Sequence, residues 1–149
     1  MSKTIALVNS AHEMYAELKA LHYDLTGHKV LPKLTYACYG ASADGTSASR
    51  AKYYGYFCLR LKPKYVYVLW IYAIGGGVQA MKEIMKVAKG LKAKHKELAA
   101  VKLSCSIDPG EEKGTVLRRV NFYIKCGFRV YKVDYKGANG VSLGMTHEL

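Results

Sequence analysis

Eight residues from Tyr65 to Tyr72 read Tyr-Val-Tyr-Val-Leu-Trp-Ile-Tyr, a nearly unbroken apolar run. Such a run, rich in β-branched and aromatic side chains, predicts a central strand covered on both faces. After Gly75, Gly76 and Gly77 the period changes. Met81, Ile84, Met85, Ala88, Leu91 and Leu98 recur at helical spacing, with Lys82, Lys86, Lys89 and Lys96 on the other face, which predicts an amphipathic helix. Upstream, Ser2 to Val8 is short and β-prone, and Ser10 is placed to cap a helix from Ala11 to about Tyr23 whose apolar face carries Met14, Leu18 and Leu21. Thr26-Gly27-His28 and Pro32 end that helix. Thr35 to Ala41 and Tyr53 to Leu61 are aromatic-rich and strand-like, and the turn-forming stretch Ser42 to Ser47 between them predicts a hairpin. Downstream come a strand from Ala100 to Ile107, a turn at Asp108-Pro109-Gly110, and a helix from Thr115 to Cys126 closed by Gly127. Strands from Phe128 to Tyr135 and from Val141 to Glu148 finish the chain. The order β-α-β-β-β-α-β-α-β-β predicts an α/β fold, a mixed sheet flanked by helices.

Composition narrows this picture. The chain has 149 residues, half of them apolar, enough for one domain over residues 1–149 to bury a core without a metal or a disulfide. Cys38, Cys58, Cys105 and Cys126 are scattered singly, with no histidine nearby at zinc spacing. They read as reduced, mostly buried thiols of a cytoplasmic protein, and no metal site is expected. The longest apolar run is about half the length a bilayer requires, so no membrane partner is expected. The charge is the unusual quantity, at +12 with a pI near 9.5. Between Leu25 and Ile107 the only acids are Asp44, Glu83 and Glu97. Such a field favours an anionic partner, a nucleic acid or an acidic protein.

The sequence also carries candidate chemistry. A strand, then Gly75-Gly76-Gly77-Val78-Gln79, then a helix is a place where successive backbone N–H groups and a helix N-terminus converge on one anion. The same glycines also suit a plain tight turn, and their spacing matches neither a Walker loop nor a dinucleotide fingerprint. Lysines 82, 86, 89, 92, 94 and 96 form either a solvated face or a track for phosphates. In the second case Tyr36, Tyr39, Tyr53, Tyr54 and Tyr56 would stack on bases, with Arg50, Lys52, Arg60, Lys62 and Lys64 extending the track.

The stretch Asn121-Phe122-Tyr123-Ile124-Lys125-Cys126-Gly127-Phe128 resembles the GNAT superfamily. Phe122, Tyr123, Lys125, Gly127 and Phe128 match the family's F/L-Y-x-K-x-G-F, and Met145-Thr146-His147-Glu148-Leu149 is similar to its closing M-x-K-E-L. The resemblance implies a mixed, mostly antiparallel central sheet and an enzyme that moves an acetyl group from acetyl-CoA to an amine. It implies Tyr123 as the proton donor to the departing thiolate, and Ile71 near the strand end that holds the pantetheine arm. Laid on the family's phosphate loop R/Q-x-x-G-x-G/A, the segment Ile74, Gly75, Gly76, Gly77, Val78 and Gln79 matches at Gly77 and departs at Ile74 and Gln79. Asp108, at the end of the strand before the last helix, is the best-placed carboxylate for a general base, with Glu111 and Glu112 in the same loop. The basic side chains His22, His28, Lys29, Lys33 and Lys136, together with Tyr36 and Tyr135, point to an anionic, macromolecular acceptor such as nucleic acid, aminoacyl-tRNA or protein. The competing reading is a nucleic-acid-binding or nucleic-acid-modifying protein that kept this fold and lost acetyl-CoA-dependent catalysis.

Overall fold

The computed structural model describes residues 3–40, 53–73 and 77–149. In chain order the elements are β1 (Lys3–Leu7), α1 (Tyr15–Thr26), β2 (Leu34–Gly40), β3 (Tyr53–Leu61), β4 (Tyr65–Ala73), α2 (Gly77–Lys94), β5 (Ala100–Ile107), α3 (Lys113–Lys125), β6 (Arg129–Tyr135) and β7 (Val141–Glu148). This is the order that the hydrophobic pattern predicts. The sheet runs β1-β2-β3-β4-β5-β7-β6. β4 and β5 are parallel, whereas β1/β2, β2/β3, β5/β7 and β6/β7 are antiparallel, so the fold is the mixed, mostly antiparallel sheet expected. The chain divides into two compact units, Met1–Arg60 with Leu69–Ala80, and Leu61–Val68 with Met81–Leu149.

In the first unit Val8, Leu18, Leu31, Ala37, Tyr56 and Cys58 form the core, with Tyr15, Leu21, Leu69, Trp70 and Tyr72 packed against it. The first helix starts at Tyr15, four residues after the expected Ala11, and Ser10 does not cap it. Local side chains take the N–H groups that a helix would have used. Asn9 Oδ1 accepts from the Ala11 N–H at 3.0 Å, and His12 Nδ1 from the Met14 N–H at 3.1 Å. The helix closes on Gly27, whose φ of +78° lets its N–H reach the Tyr23 carbonyl at 2.8 Å.

One polar pair lies inside this core. His22 is 3% exposed, and its Nδ1 is hydrogen-bonded to the Tyr56 hydroxyl at 2.8 Å. The imidazole meets the Tyr56 and Trp70 rings edge-on and stacks near His28. Tyr56, expected among exposed base-stacking aromatics, is therefore a core residue at 1% exposure. Tyr36, also expected there, is partly covered and stacks on Phe57 at 5.4 Å. The side chains of Tyr39, Tyr53 and Tyr54 and the segment 41–52, with the expected turn, Arg50 and Lys52, lie outside the described residues.

In the second unit β5 alternates cleanly. Val101, Leu103 and Cys105 are buried, whereas Lys102, Ser104 and Ser106 occupy the other face. Met81, Ile84 and Ala88 bury one side of α2, while Lys82, Lys86, Lys89 and Lys94 are solvent-exposed, the ordinary outcome for an amphipathic helix. Leu98, read as the last residue of that helical stripe, lies beyond the helix end at Lys94. It is nonetheless buried, its N–H turned onto the His95 carbonyl. Cys38, Cys58 and Cys105 are buried, as expected. Among the described residues no helix is long and apolar enough to cross a membrane.

The buried imidazole makes stability depend on pH. Burial first, and then the neighbouring His28, lowers the pKa of His22 below its ordinary 6.5. Below that value the unfolded chain takes a proton that the folded chain refuses, so the unfolded state binds more protons and stability falls as pH falls. The contribution is fully present above about pH 6.5 and lost below it. The Tm is expected to drop between about pH 7.5 and 5.5, and to drop less in His22→Gln. Equal slopes for the two proteins in pH-resolved thermal melts would assign the pH response to other groups.

Candidate active site

The Phe122–Phe128 stretch is, physically, a helix stop. At the end of α3 the Phe128 N–H reaches back to the Tyr123 carbonyl and the Gly127 N–H to the Ile124 carbonyl, both at 3.0 Å. This is the paired-bond arrangement that closes a helix through a left-handed glycine. Gly127 has φ +97°, which disfavours any residue with a Cβ. A Cβ there would also stand 2.6 Å from His147 Nε2. The apolar contact that accompanies such caps is supplied by Tyr123 and Phe128, with ring centroids 6.3 Å apart. Phe122 and His147 continue the stack, at 5.3 Å from Tyr123 and Phe128 respectively.

Tyr123 is thus held by its own helix terminus. Burial is the main influence on its hydroxyl and raises the pKa above the ordinary tyrosine value. The Cys105 and Cys126 thiols act in the same direction, and the Arg119 guanidinium opposes them. The phenol therefore keeps its proton at neutral pH, which suits a group that must have one to give.

One turn earlier on α3, Arg119 ties the helix to the strand end and to the loop between them. Its Nη2 donates to the Ser106 carbonyl at 2.7 Å and to Glu111 Oε1 at 2.8 Å. Glu111 Oε1 also accepts the Asp108 N–H at 2.8 Å. The hydrogen bond from Arg119, followed by that from the Asp108 amide, lowers the pKa of Glu111, so this carboxylate is a spent acceptor and a poor base. Asp108 is exposed at the tip of the same loop, its backbone engaged and its side chain turned to no recorded partner. The Arg119 pairing spans a loop and two elements, so no helical spacing announces it.

Of the expected phosphate loop, Ile74, Gly75 and Gly76 lie outside the described residues. Gly77, Val78 and Gln79 are the first residues of α2, and no acidic side chain occurs in that first turn. A helix N-terminus with no carboxylate in its first turn suits an anionic group. Ile71 does not end its strand, since β4 continues two residues further, to Ala73. The parallel β4/β5 ladder itself spans Tyr65–Tyr67 and Ala100–Lys102.

No family model and no curated protein matches the sequence. Solved structures do match. NAA60 of Arabidopsis thaliana in complex with acetyl-CoA superposes with a TM-score of 0.64 at 14% identity, over 99% of this chain and 100% of that one. The aminoglycoside 6'-N-acetyltransferase of Enterococcus faecium gives 0.63 at 10% identity, over 97% and 96%. The ribosomal-protein-S18-alanine N-acetyltransferase of Escherichia coli gives 0.54 at 10% identity, over 99% and 94%. The chain has the fold of the GNAT N-acetyltransferases, as the residues around Tyr123 implied.

The cap can be tested apart from catalysis. Gly127→Ala forces a left-handed alanine and displaces His147, at a cost of about 1–2 kcal/mol. A Tm lower by roughly 2–8 °C is expected, and an unchanged Tm would mean that α3 ends without help from this glycine.

Proposed function

We propose that residues 1–149 act as one acyltransferase domain, a cytoplasmic N-acetyltransferase that uses acetyl-CoA. The observation that carries the reading is Tyr123, fixed at a glycine-capped helix end with its proton retained, in a chain of GNAT fold. Bound acetyl-CoA would supply the acyl group as an activated thioester. Gly75, Gly76 and Gly77, with Val78 and Gln79 at the start of α2, would hold its pyrophosphate, with Ile74 at the other end of that sequence stretch, and the Ile71 backbone in β4 would hold the pantetheine arm.

As the amine nitrogen bonds to the carbonyl carbon and the C–S bond breaks, the Tyr123 hydroxyl gives its proton to the sulfur. Asp108 takes the proton that the amine loses, a role supported by the occupied state of its neighbour Glu111. Solvent returns the tyrosine proton. The acceptor is anionic, a nucleic acid, an aminoacyl-tRNA or an acidic protein segment. A charge of +12 supports this choice, because it repels polyamines and steers anions.

Acetyl-CoA at 100 times its Kd should stabilise the protein by about 2.7 kcal/mol and raise the Tm. Absence of any shift at millimolar acetyl-CoA would favour the non-catalytic nucleic-acid reading. Tyr123→Phe should lower kcat by roughly 10²-fold while leaving acetyl-CoA affinity nearly unchanged, because only a transferable proton is removed. An unchanged kcat would return Tyr123 to a packing role. Efficient acetylation of spermidine, insensitive to ionic strength, would overturn the anionic acceptor.

A further inference from the structure

The second unit contains a basic pocket that the acetyl-transfer reading does not use. Register places it at the start of β5. Lys102 pairs with Thr146 on β7, and Thr146 pairs with Arg129 on β6, so these three side chains form one row on one face of the sheet. Ala100 and Glu148 form the next row on the same face. With Lys92 from α2 and Tyr131 from β6, they line a cavity of about 520 Å³. Asp108 follows the far end of β5, six residues beyond Lys102 and about 20 Å away at the usual strand rise. The pocket and the Asp108 end of the strand are therefore separate places.

The pocket is net basic. Three cationic side chains, Lys92, Lys102 and Arg129, line it with one acidic side chain, Glu148, and with Leu149, the last residue of the sequence. Among the described residues neither Lys102 nor Arg129 has a carboxylate within ion-pairing distance. Lys102 is positioned instead by aromatic rings, its Nζ lying 4.6 Å from the Tyr65 centroid and 4.7 Å from the Tyr131 centroid. Ring faces orient an ammonium without neutralising it. Lys92 reaches in from the helix, its Nζ donating to a main-chain oxygen of Leu149 at 3.4 Å. Gly144 makes room for the arrangement, since a Cβ there would strike Lys132 Cγ and the Tyr131 ring. A bulge between Val130 and Lys132 sets Tyr131 out of the ladder.

We infer that this pocket binds a phosphate-bearing ligand of about nucleotide size, with Lys102 and Arg129 on the phosphate, Lys92 beside it and Tyr131 against the ring. The volume lies within the range of small-ligand sites. Three clustered cations favour a compact multivalent anion over a single carboxylate. Glu148 and the Thr146 hydroxyl remain to accept hydrogen bonds from ribose or an amino group. The phosphate can belong to a free nucleotide or to a nucleic-acid strand, and the two sources separate experimentally.

Calorimetry on the full chain with AMP, with adenosine and with a short single-stranded oligonucleotide distinguishes them. AMP or the oligonucleotide should bind, adenosine should bind at least tenfold more weakly, and Arg129→Gln and Lys102→Gln should each weaken binding at least tenfold. Binding of AMP identifies a free nucleotide as sufficient. Binding of the oligonucleotide alone identifies a strand. Arg129 is solvent-exposed, so its replacement leaves the Tm nearly unchanged and separates lost binding from lost folding. Arg129→Lys should recover part of the affinity. Acetyl-CoA stabilisation should be the same in the variants as in the parent, which separates this pocket from any nucleotide binding at the glycine loop. Failure of both AMP and oligonucleotide to bind, or affinity unchanged in Arg129→Gln, would overturn the inference.

Discussion

The parallel pairing of β4 with β5 governs the layout. β4 and β5 run side by side in the same direction over Tyr65–Tyr67 and Ala100–Lys102, and parallel neighbours cannot be joined by a tight turn. The chain must return to the start of β5, and it does so through the eighteen residues of α2. That requirement places a helix N-terminus directly after a strand end, with glycines between them. It also buries Met81, Ile84 and Ala88 and leaves the lysines of α2 on the solvent side. The remaining recorded pairings are antiparallel and impose no comparable return path.

The second constraint is the stop at α3. A helix must end where its last carbonyls find donors, and Gly127 supplies the reversed backbone that lets two N–H groups turn back. The same residues that match the family pattern perform this closure, so the pattern has a mechanical cause. Lys125 is the basic residue of the last turn, where a cation favours the helix dipole. Tyr123 and Phe128 provide the apolar contact of the cap. Arg119 then links α3 to the end of β5 through the Ser106 carbonyl, and through Glu111 to the intervening loop. Tyr123 is therefore positioned by local backbone bonds, on a helix that a partly exposed ion pair ties to the neighbouring loop.

Charge acts at two scales. The excess of +12 is a property of the whole chain and bears on which partners are drawn toward it. Most of the α2 lysines are exposed and contribute only to that general field. Lys102 and Arg129 behave differently, because the sheet register sets them in one row with no carboxylate at ion-pairing distance among the described residues. Lys92 stands apart from the other α2 lysines by bonding a main-chain oxygen of Leu149. The concentration of cations in the second unit is thus a matter of register more than of composition.

The order of elements, the two strand–helix alternations and the closure of α3 were legible in the sequence because each depends on residues close along the chain. Period 2 and period 3.6 are local patterns, and a glycine cap involves six successive residues. The start of α1 was misread because Asn9 and His12 offer their own acceptors to N–H groups in the first turns, a competition that apolar spacing does not register. Tyr56 was misread because its strand is aromatic on both faces, and alternation then does not reveal which face is covered. The Arg119–Glu111 pair and the Lys102–Thr146–Arg129 row join residues from separate elements. Only the pairing of β5, β7 and β6 and the docking of α3 on the loop brought them within reach, because those distances follow from hydrogen-bond register and side-chain packing across elements, which no local pattern encodes.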